Sequence, residues 1–223
     1  MRRLIIPLIF GLVGVAILVS LGMWQVQRLA WKQGVLAEIE ARIYDDPEPL
    51  PDQPNVQDHR YQPVALRGTL GAREARVLVS VKSVGPGYRI ISPFETEDGR
   101  RILLDRGFVR AAQKDAPRYS GPLSVSGNLH WPDDRNSSTP ENDVEDNTWF
   151  ARDIDQLAER FDTEDVLVVA REASEDTSVT PLPVDTAGIP NDHLQYVVTW
   201  FGLAAVWFAM SCYLLWRLAR KET

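Results

Sequence analysis

Two uncharged runs, one near each end of the chain, constrain everything between them. Residues 4–23 and 196–215 contain no Asp, Glu, Lys or Arg. At helical rise each run reaches about 30 Å, the thickness of a bilayer's hydrocarbon core. Trp24 and Arg28 follow the first run, and Trp216, Arg217, Arg220 and Lys221 follow the second, so aromatic and basic residues mark their ends. A buried soluble helix can be apolar all round, but it is rarely this long, and Trp200, Trp207 and Trp216 would need packing partners on every side. A cleaved signal peptide has a shorter apolar region, about 7–15 residues, ending in an A-x-A-like site that Ser20 and Gly22 match poorly. The expectation is two transmembrane helices, 4–23 and 193–216.

Basic residues set the orientation, because short flanks rich in Lys and Arg stay in the cytoplasm. Arg2 and Arg3 precede the first helix, and Arg217, Arg220 and Lys221 follow the second. Residues 1–3 and 217–223 are therefore expected as cytoplasmic tails, with the segment between the helices exported. The chain carries a net charge of −7, and the tails hold five cations against the single acid Glu222, so the exported part is more acidic still. That balance argues against nucleic acid and against an anionic lipid surface as partners. The one cysteine, Cys212, lies in the second run, so no intramolecular disulfide can form. There is no Cys/His cluster with zinc or copper spacing.

After the first run the apolar spacing stays helical: Trp24, Arg28, Trp31 and Val35, then Leu36, Ile39 and Ile43, recur every three or four residues. Residues 24–43 are expected as a juxtamembrane amphipathic helix. Pro47, Pro49, Pro51 and Pro54 oppose regular structure, which predicts a proline-rich extended linker over 44–58.

From Tyr61 the period changes to two. Segments 61–70, 76–84, 88–95, 101–110, 123–131 and 166–171 are predicted strands, separated by turn residues such as Gly85-Pro86-Gly87 and Asp98-Gly99. The short connections favour antiparallel pairing. Residues 133–147 are polar and predicted as an irregular loop, and Asp153 opens a short helix over 154–161. The fold class is thus α+β: two transmembrane helices flanking an exported antiparallel β-sheet or partial-barrel domain, 59–192, with a short helix.

Catalytic chemistry finds little support. Gly85-Pro86-Gly87 lacks the phosphate-loop pattern and precedes a strand. His59 and His130 stand in no recognisable nucleophile motif. Asn136-Ser137-Ser138 is a glycosylation tripeptide of a kind that arises often by chance. Asp105-Arg106-Gly107 interrupts an apolar strand, and a structural ion pair is its plainest reading.

His193 is different, since it precedes Tyr196 and Trp200 at helical spacing at the outer edge of the second helix. An imidazole beside aromatics at that depth can be an axial ligand to haem iron, or an interfacial anchor. On the first helix Trp24, Arg28 and Trp31 share a face at a similar depth. Arg28 could there pair with a propionate while the tryptophans pack on a macrocycle.

At these residues the chain resembles the Surfeit-locus family of cytochrome c oxidase assembly factors, along nearly its whole length. The stretch from Leu21 through Trp24-Gln25-Val26-Gln27-Arg28-Leu29-Ala30-Trp31-Lys32 is similar to the family's first-helix signature. Tyr61-Gln62-Pro63-Val64 with Gly68, then Gly87-Tyr88 with Ser92-Pro93-Phe94, resemble its strand motifs, and Leu104-Asp105-Arg106-Gly107-Phe108-Val109 its central arginine-glycine motif. His193-Leu194-Gln195-Tyr196 with Thr199-Trp200-Phe201-Gly202-Leu203-Ala204 resembles the second-helix signature. Arg110 stands where a proline is common, and Asp192 where Asn often precedes the histidine.

The resemblance implies an assembly factor for a haem-copper terminal oxidase, not an enzyme, that binds haem a and aids its insertion into the catalytic subunit. Implied partners are that subunit, the haem a synthesis machinery and the lipid bilayer. The family's haem-linked histidine corresponds to His193, and the implied location is a bacterial inner membrane, two-pass, with the main domain periplasmic. The alternative is a haem-free membrane scaffold that stabilises oxidase intermediates. A reporter active only outside the cytoplasm should work when inserted within 133–147 and fail when fused after Thr223; the reverse pattern would overturn the two-span topology.

Overall fold

The computed structural model describes residues 2–220 apart from 83, 177, 187, 188 and 190. Met1, the side chains of Arg2 and Arg3, and 221–223, all assigned above to the tails or their flanks, lie outside the described residues. Two compact units form: residues 1–38 with 186–223, and residues 39–185. The first holds most of helix α1 (Arg2–Ile43) and all of α4 (His193–Arg220), each long and apolar enough to cross a membrane. Among its described residues the second holds seven strands, two short α-helices and one 3-10 turn, Ala111–Gln113. Two transmembrane helices therefore flank a β domain, as the hydropathy pattern predicts.

The strands are β1 (Pro63–Leu70), β2 (Ala75–Val81), β3 (Gly85–Thr96), β4 (Arg101–Arg110), β5 (Gly121–Leu129), β6 (Thr148–Trp149) and β7 (Leu167–Ala173). Their order is β1-β5-β7-β4-β3-β2-β6, with a further pairing between β1 and β3. Strand β3 is long enough for the edge opposite β4 to serve two neighbours. Its first half pairs with β2, while Phe94, Glu95 and Thr96 pair with Leu70, Thr69 and Gly68 of β1. That second pairing closes β1, β5, β7, β4 and β3 into a barrel. Not every pair is antiparallel: β4 with β7 and β2 with β6 run parallel. Consecutive strands β2, β3 and β4 obey the short-connection rule. Strand β7 reaches β4 only after β5, β6 and helix α3 (Ile154–Phe161), a route ample for a parallel crossover.

Alternation along β4 and β7 divides the core into two layers. Ile102, Leu104 and Val168 point into the barrel, where they meet Val64, Leu66, Phe94 and Leu129. Leu103, Leu167 and Val169 point outward against Leu157, Ala158 and Phe161 of α3 and against Trp149. Both faces of β4 are buried, which explains why its first half reads as an unbroken apolar run. The last turn of α1 belongs to this unit. Ile43 is buried, and its carbonyl accepts from Asn128 Nδ2 at 2.9 Å and from Arg171 Nη2 at 2.5 Å.

Two local expectations are corrected, and a third gains detail. The proline-rich segment is not wholly irregular, because Glu48 bridges Val64 and Val56–His59 forms one helical turn, α2, capped by Asn55 Oδ1 on the Asp58 N–H. The polar stretch before β6 is irregular as expected, but it is tied down. Asn142 Oδ1 accepts from the Phe150 and Ala151 N–H groups, and Arg135 holds Asp153. Asp153 therefore gives its carboxylate to Arg135 and Asn142 instead of capping α3. Its neighbour Trp149, fully buried, anchors β6, and a strand this short leaves no period to read.

The polar interruption of β4 is a buried hub. Asp105, with no exposed surface, accepts from Arg89 at 2.6 Å and lies 3.5 Å from Arg152, which clamps Asp134 with two nitrogens. Arg106, one residue on, faces away from that cluster. It pairs with Asp176 at 2.7 Å and donates to Tyr119 O and Ser178 Oγ. Burial works against the Asp176 carboxylate, but the Arg106 and Ser178 hydrogen bonds outweigh it and hold its pKa below the usual range. Gly107 has φ +125°, and a Cβ there would stand 2.2 Å from Thr180 O, so only glycine lets residue 180 pair with Phe108.

His130 abuts the Asp105 cluster. It stacks on Tyr61 with ring centroids 5.6 Å apart, and its Nδ1 is buried with no partner. Burial, reinforced by Arg152 and Arg60, pushes its pKa down to about 4.

Two outcomes follow for the full chain in detergent. Arg106→Ala leaves Asp176 buried and uncompensated, and thermal melts should show a loss of about 3–5 kcal/mol. For His130 the folded state prefers the neutral ring, so the unfolded chain binds the extra proton. Its stabilisation is complete above the unfolded pKa of 6.5 and is lost as pH falls towards about 4. His130→Gln should flatten the pH dependence of stability across that window.

Candidate functional site

The helical unit is built on small residues. A Cβ at Gly11 would stand 2.9 Å from Ser211, one at Gly14 2.2 Å from Trp207, and one at Gly22 2.9 Å from Phe201. Contacts that ascend α1 descend α4, so the two helices pack antiparallel. In a membrane, lipid tails are as apolar as leucine, so close backbone approach through glycines supplies the packing gain. The contact stripe of α1 is Gly11, Val15, Leu18, Gly22, Gln25 and Leu29, alternating steps of four and three. On α4 the half-buried or buried residues Val197, Phe201, Ala204 and Ser211 answer it.

One member of that stripe is polar. Gln25 is 7% exposed, and its Oε1 lies 2.9 Å from Nδ1 of the half-buried His193. His193 is the first residue of α4, behind Asp192, whose carbonyl accepts the Gln195 and Tyr196 N–H groups. The imidazole thus sits on the first turn with one ring nitrogen engaged by α1.

The other residues singled out from the sequence are distributed around this pair. Trp24 adjoins Gln25 in the chain but turns onto the next face of α1, 55% exposed. Arg28 and Trp31 share that face, the guanidinium 3.9 Å from the Trp31 ring centroid and the indole 52% exposed. Tyr196 is exposed on α4, and Trp200 is half-buried. The structure therefore brings His193 together with Gln25, and sets Trp24, Arg28 and Trp31 on a neighbouring outward face. Grouping α1 by its aromatics missed Gln25. The signal was available in the three-and-four stripe of small and aliphatic residues, which Gln25 alone interrupts between Gly11 and Leu29.

An apolar groove of about 400 Å³ opens between the helices, lined by Gly14, Ile17, Leu203, Val206 and Trp207 among others. At about 1.5 Å per residue it lies roughly 20 Å along α4 from His193, so groove and imidazole are separate features. Among the described residues no group of three or more His, Cys, Asp or Glu could hold a bare metal ion.

An antiparallel pair of membrane-spanning helices with an amide–imidazole pair in their contact, and a closed β-barrel encoded by the sequence that separates the two helices, define a two-span membrane protein with a barrel domain. The SURF1 family model matches residues 12–205, a range that includes both Gln25 and His193. The chain is 32% identical to Surfeit locus protein 1 of Rattus norvegicus over 216 residues, covering 85% of this chain and 70% of that protein. It is 32% identical to the Homo sapiens protein of the same name, covering 85% and 72%. A SURF1-like protein of Rickettsia felis is 29% identical, covering 86% and 89%. The chain belongs to the SURF1 family.

Proposed function

We propose that this protein is an assembly factor for a haem-copper terminal oxidase, and that it binds haem a through His193 on the way to the oxidase's catalytic subunit. Membership of the SURF1 family supports the role in cytochrome c oxidase assembly. The observation that carries the haem reading is the His193–Gln25 contact. With Nδ1 engaged by an amide oxygen, Nε2 keeps its lone pair, and a half-buried imidazole in that state could hold a haem iron. Bound haem would supply the iron for His193 Nε2 and the propionates for a cation. The residues of this chain then do the rest: α1 orients the ring, and the Trp24, Arg28 and Trp31 face offers aromatic surface and a cation for a propionate. Tyr196 and Trp200 flank the imidazole along α4.

The role is one of binding and handing on, not of catalysis. The exposed cation–aromatic face also suits contact with another membrane protein, so a haem-free scaffold is the second reading. In either case the location is a bacterial inner membrane with the barrel on the periplasmic side, which fits the acidic segment between basic flanks.

His193→Ala, expressed where haem a is made, should insert normally and lose most of its Soret absorbance. Arg28→Ala should weaken binding less, since a charge-assisted hydrogen bond is worth about 1.5–3 kcal/mol. His59→Ala serves as a control, because His59 lies in the β unit. Full haem retention with an unchanged spectrum in His193→Ala would move the assignment to the scaffold.

A further inference from the structure

We infer that Gln25 is the positioning residue of His193: its amide oxygen holds the Nδ1–H, fixing both the ring's tautomer and its orientation so that Nε2 presents a lone pair. The inference rests on the haem reading only for what Nε2 is used for. The tautomer itself follows from Gln25 and His193 alone.

The first argument is burial. Gln25 lies in a helix contact otherwise made, apart from Ser211 far along α4, by glycine, aliphatic and aromatic residues, and is 7% exposed. A primary amide in apolar surroundings is costly unless it is hydrogen-bonded. A leucine would fill the stripe without that cost, so the contact with His193 offsets the burial of a polar group there. The distance, 2.9 Å, is the ordinary length of a good N–H···O bond.

The second argument is chemical. A carbonyl oxygen can only accept, so a ring nitrogen facing it must carry the proton. In neutral imidazole the proton on Nδ1 leaves Nε2 unprotonated. His193 stands on the first turn of α4, and an acceptor from the opposite helix engages its ring. Partners of this kind raise the basicity of a ligating imidazole, and their removal typically costs about 10–100-fold in metal affinity.

The third is register. Gly22 meets Phe201, and Gln25 meets His193. These are successive contacts of one antiparallel packing, so the backbone approach at Gly22 sets the height at which the amide meets the ring. Trp24 and Arg28, which flank Gln25 in the chain, point elsewhere and cannot substitute for it.

The test uses the full chain in detergent, as wild type, Gln25→Leu, Gln25→Glu and His193→Ala. In the haem-free protein near pH 8, nitrogen-15 NMR of labelled histidine should show His193 protonated at Nδ1 and bare at Nε2. Gln25→Leu should release that preference, and Gln25→Glu, which keeps an oxygen acceptor, should restore it. A wild-type ring protonated at Nε2, or one indifferent to Gln25→Leu, would overturn the inference whether or not the protein binds haem. In the haem-loaded protein Gln25→Leu should weaken binding about 10–100-fold and lower the iron–histidine stretching frequency, with Gln25→Glu at or above wild type. Loss of haem in Gln25→Leu that Gln25→Glu fails to rescue would reduce Gln25 to a packing residue. Full haem retention in His193→Ala would remove the haem reading alone, leaving the tautomer to be judged by the NMR result.

Discussion

Strand β4 is buried on both faces, and the β domain is arranged around that constraint. Its even-numbered residues Ile102 and Leu104 need a barrel interior, and Leu103 needs a second cover, which α3 and Trp149 supply. Where the strand turns polar, each charge has a dedicated partner: Asp105 takes Arg89 and Arg152, and Arg106 takes Asp176. A strand buried this way cannot be at an edge. Strand β3 therefore flanks it antiparallel along its length, β7 pairs parallel with Leu103, Leu104 and Asp105, and closure through β1 follows from the length of β3.

How much of this was legible depended on the length over which a pattern persisted. The two membrane helices were plain, because an uncharged run that long has few other homes. Strand β4 and helix α3 could be bounded to the residue, since turn signals enclose the apolar run of Arg101 to Arg110 and a helical period runs through Ile154 to Phe161. The parallel pairing of β4 with β7 was not legible, because pairing partners across a long connection are chosen by burial and not by any local signal. Strand β6, only two residues long, was invisible for the same reason: Trp149 is placed by the core it fills.

The site shows a similar division. His193 stood out as an imidazole at a membrane boundary, but its neighbour was sought among aromatics and cations. The packing of α1 on α4 instead turns the small-residue stripe inward and the Trp24, Arg28 and Trp31 face outward. Arg106 shows the converse: the structural ion pair read from its motif is there, but its partner Asp176 lies far along the chain with no local signal, and substitution of Arg106 acts through stability.

The contact between Gln25 and His193 has a further consequence for assembly of the helix pair itself. Apolar stripes that repeat every three and four residues can slide past one another by a heptad and still mesh, as coiled coils do unless a polar residue specifies the alignment. A slip of seven residues on α1 would set Leu18 or Lys32 opposite His193. The first offers the imidazole no acceptor, and the second confronts it with a cation. One amide among glycines and aliphatic side chains thus works as a key cut for a single alignment, and selects it as the two helices meet in the bilayer.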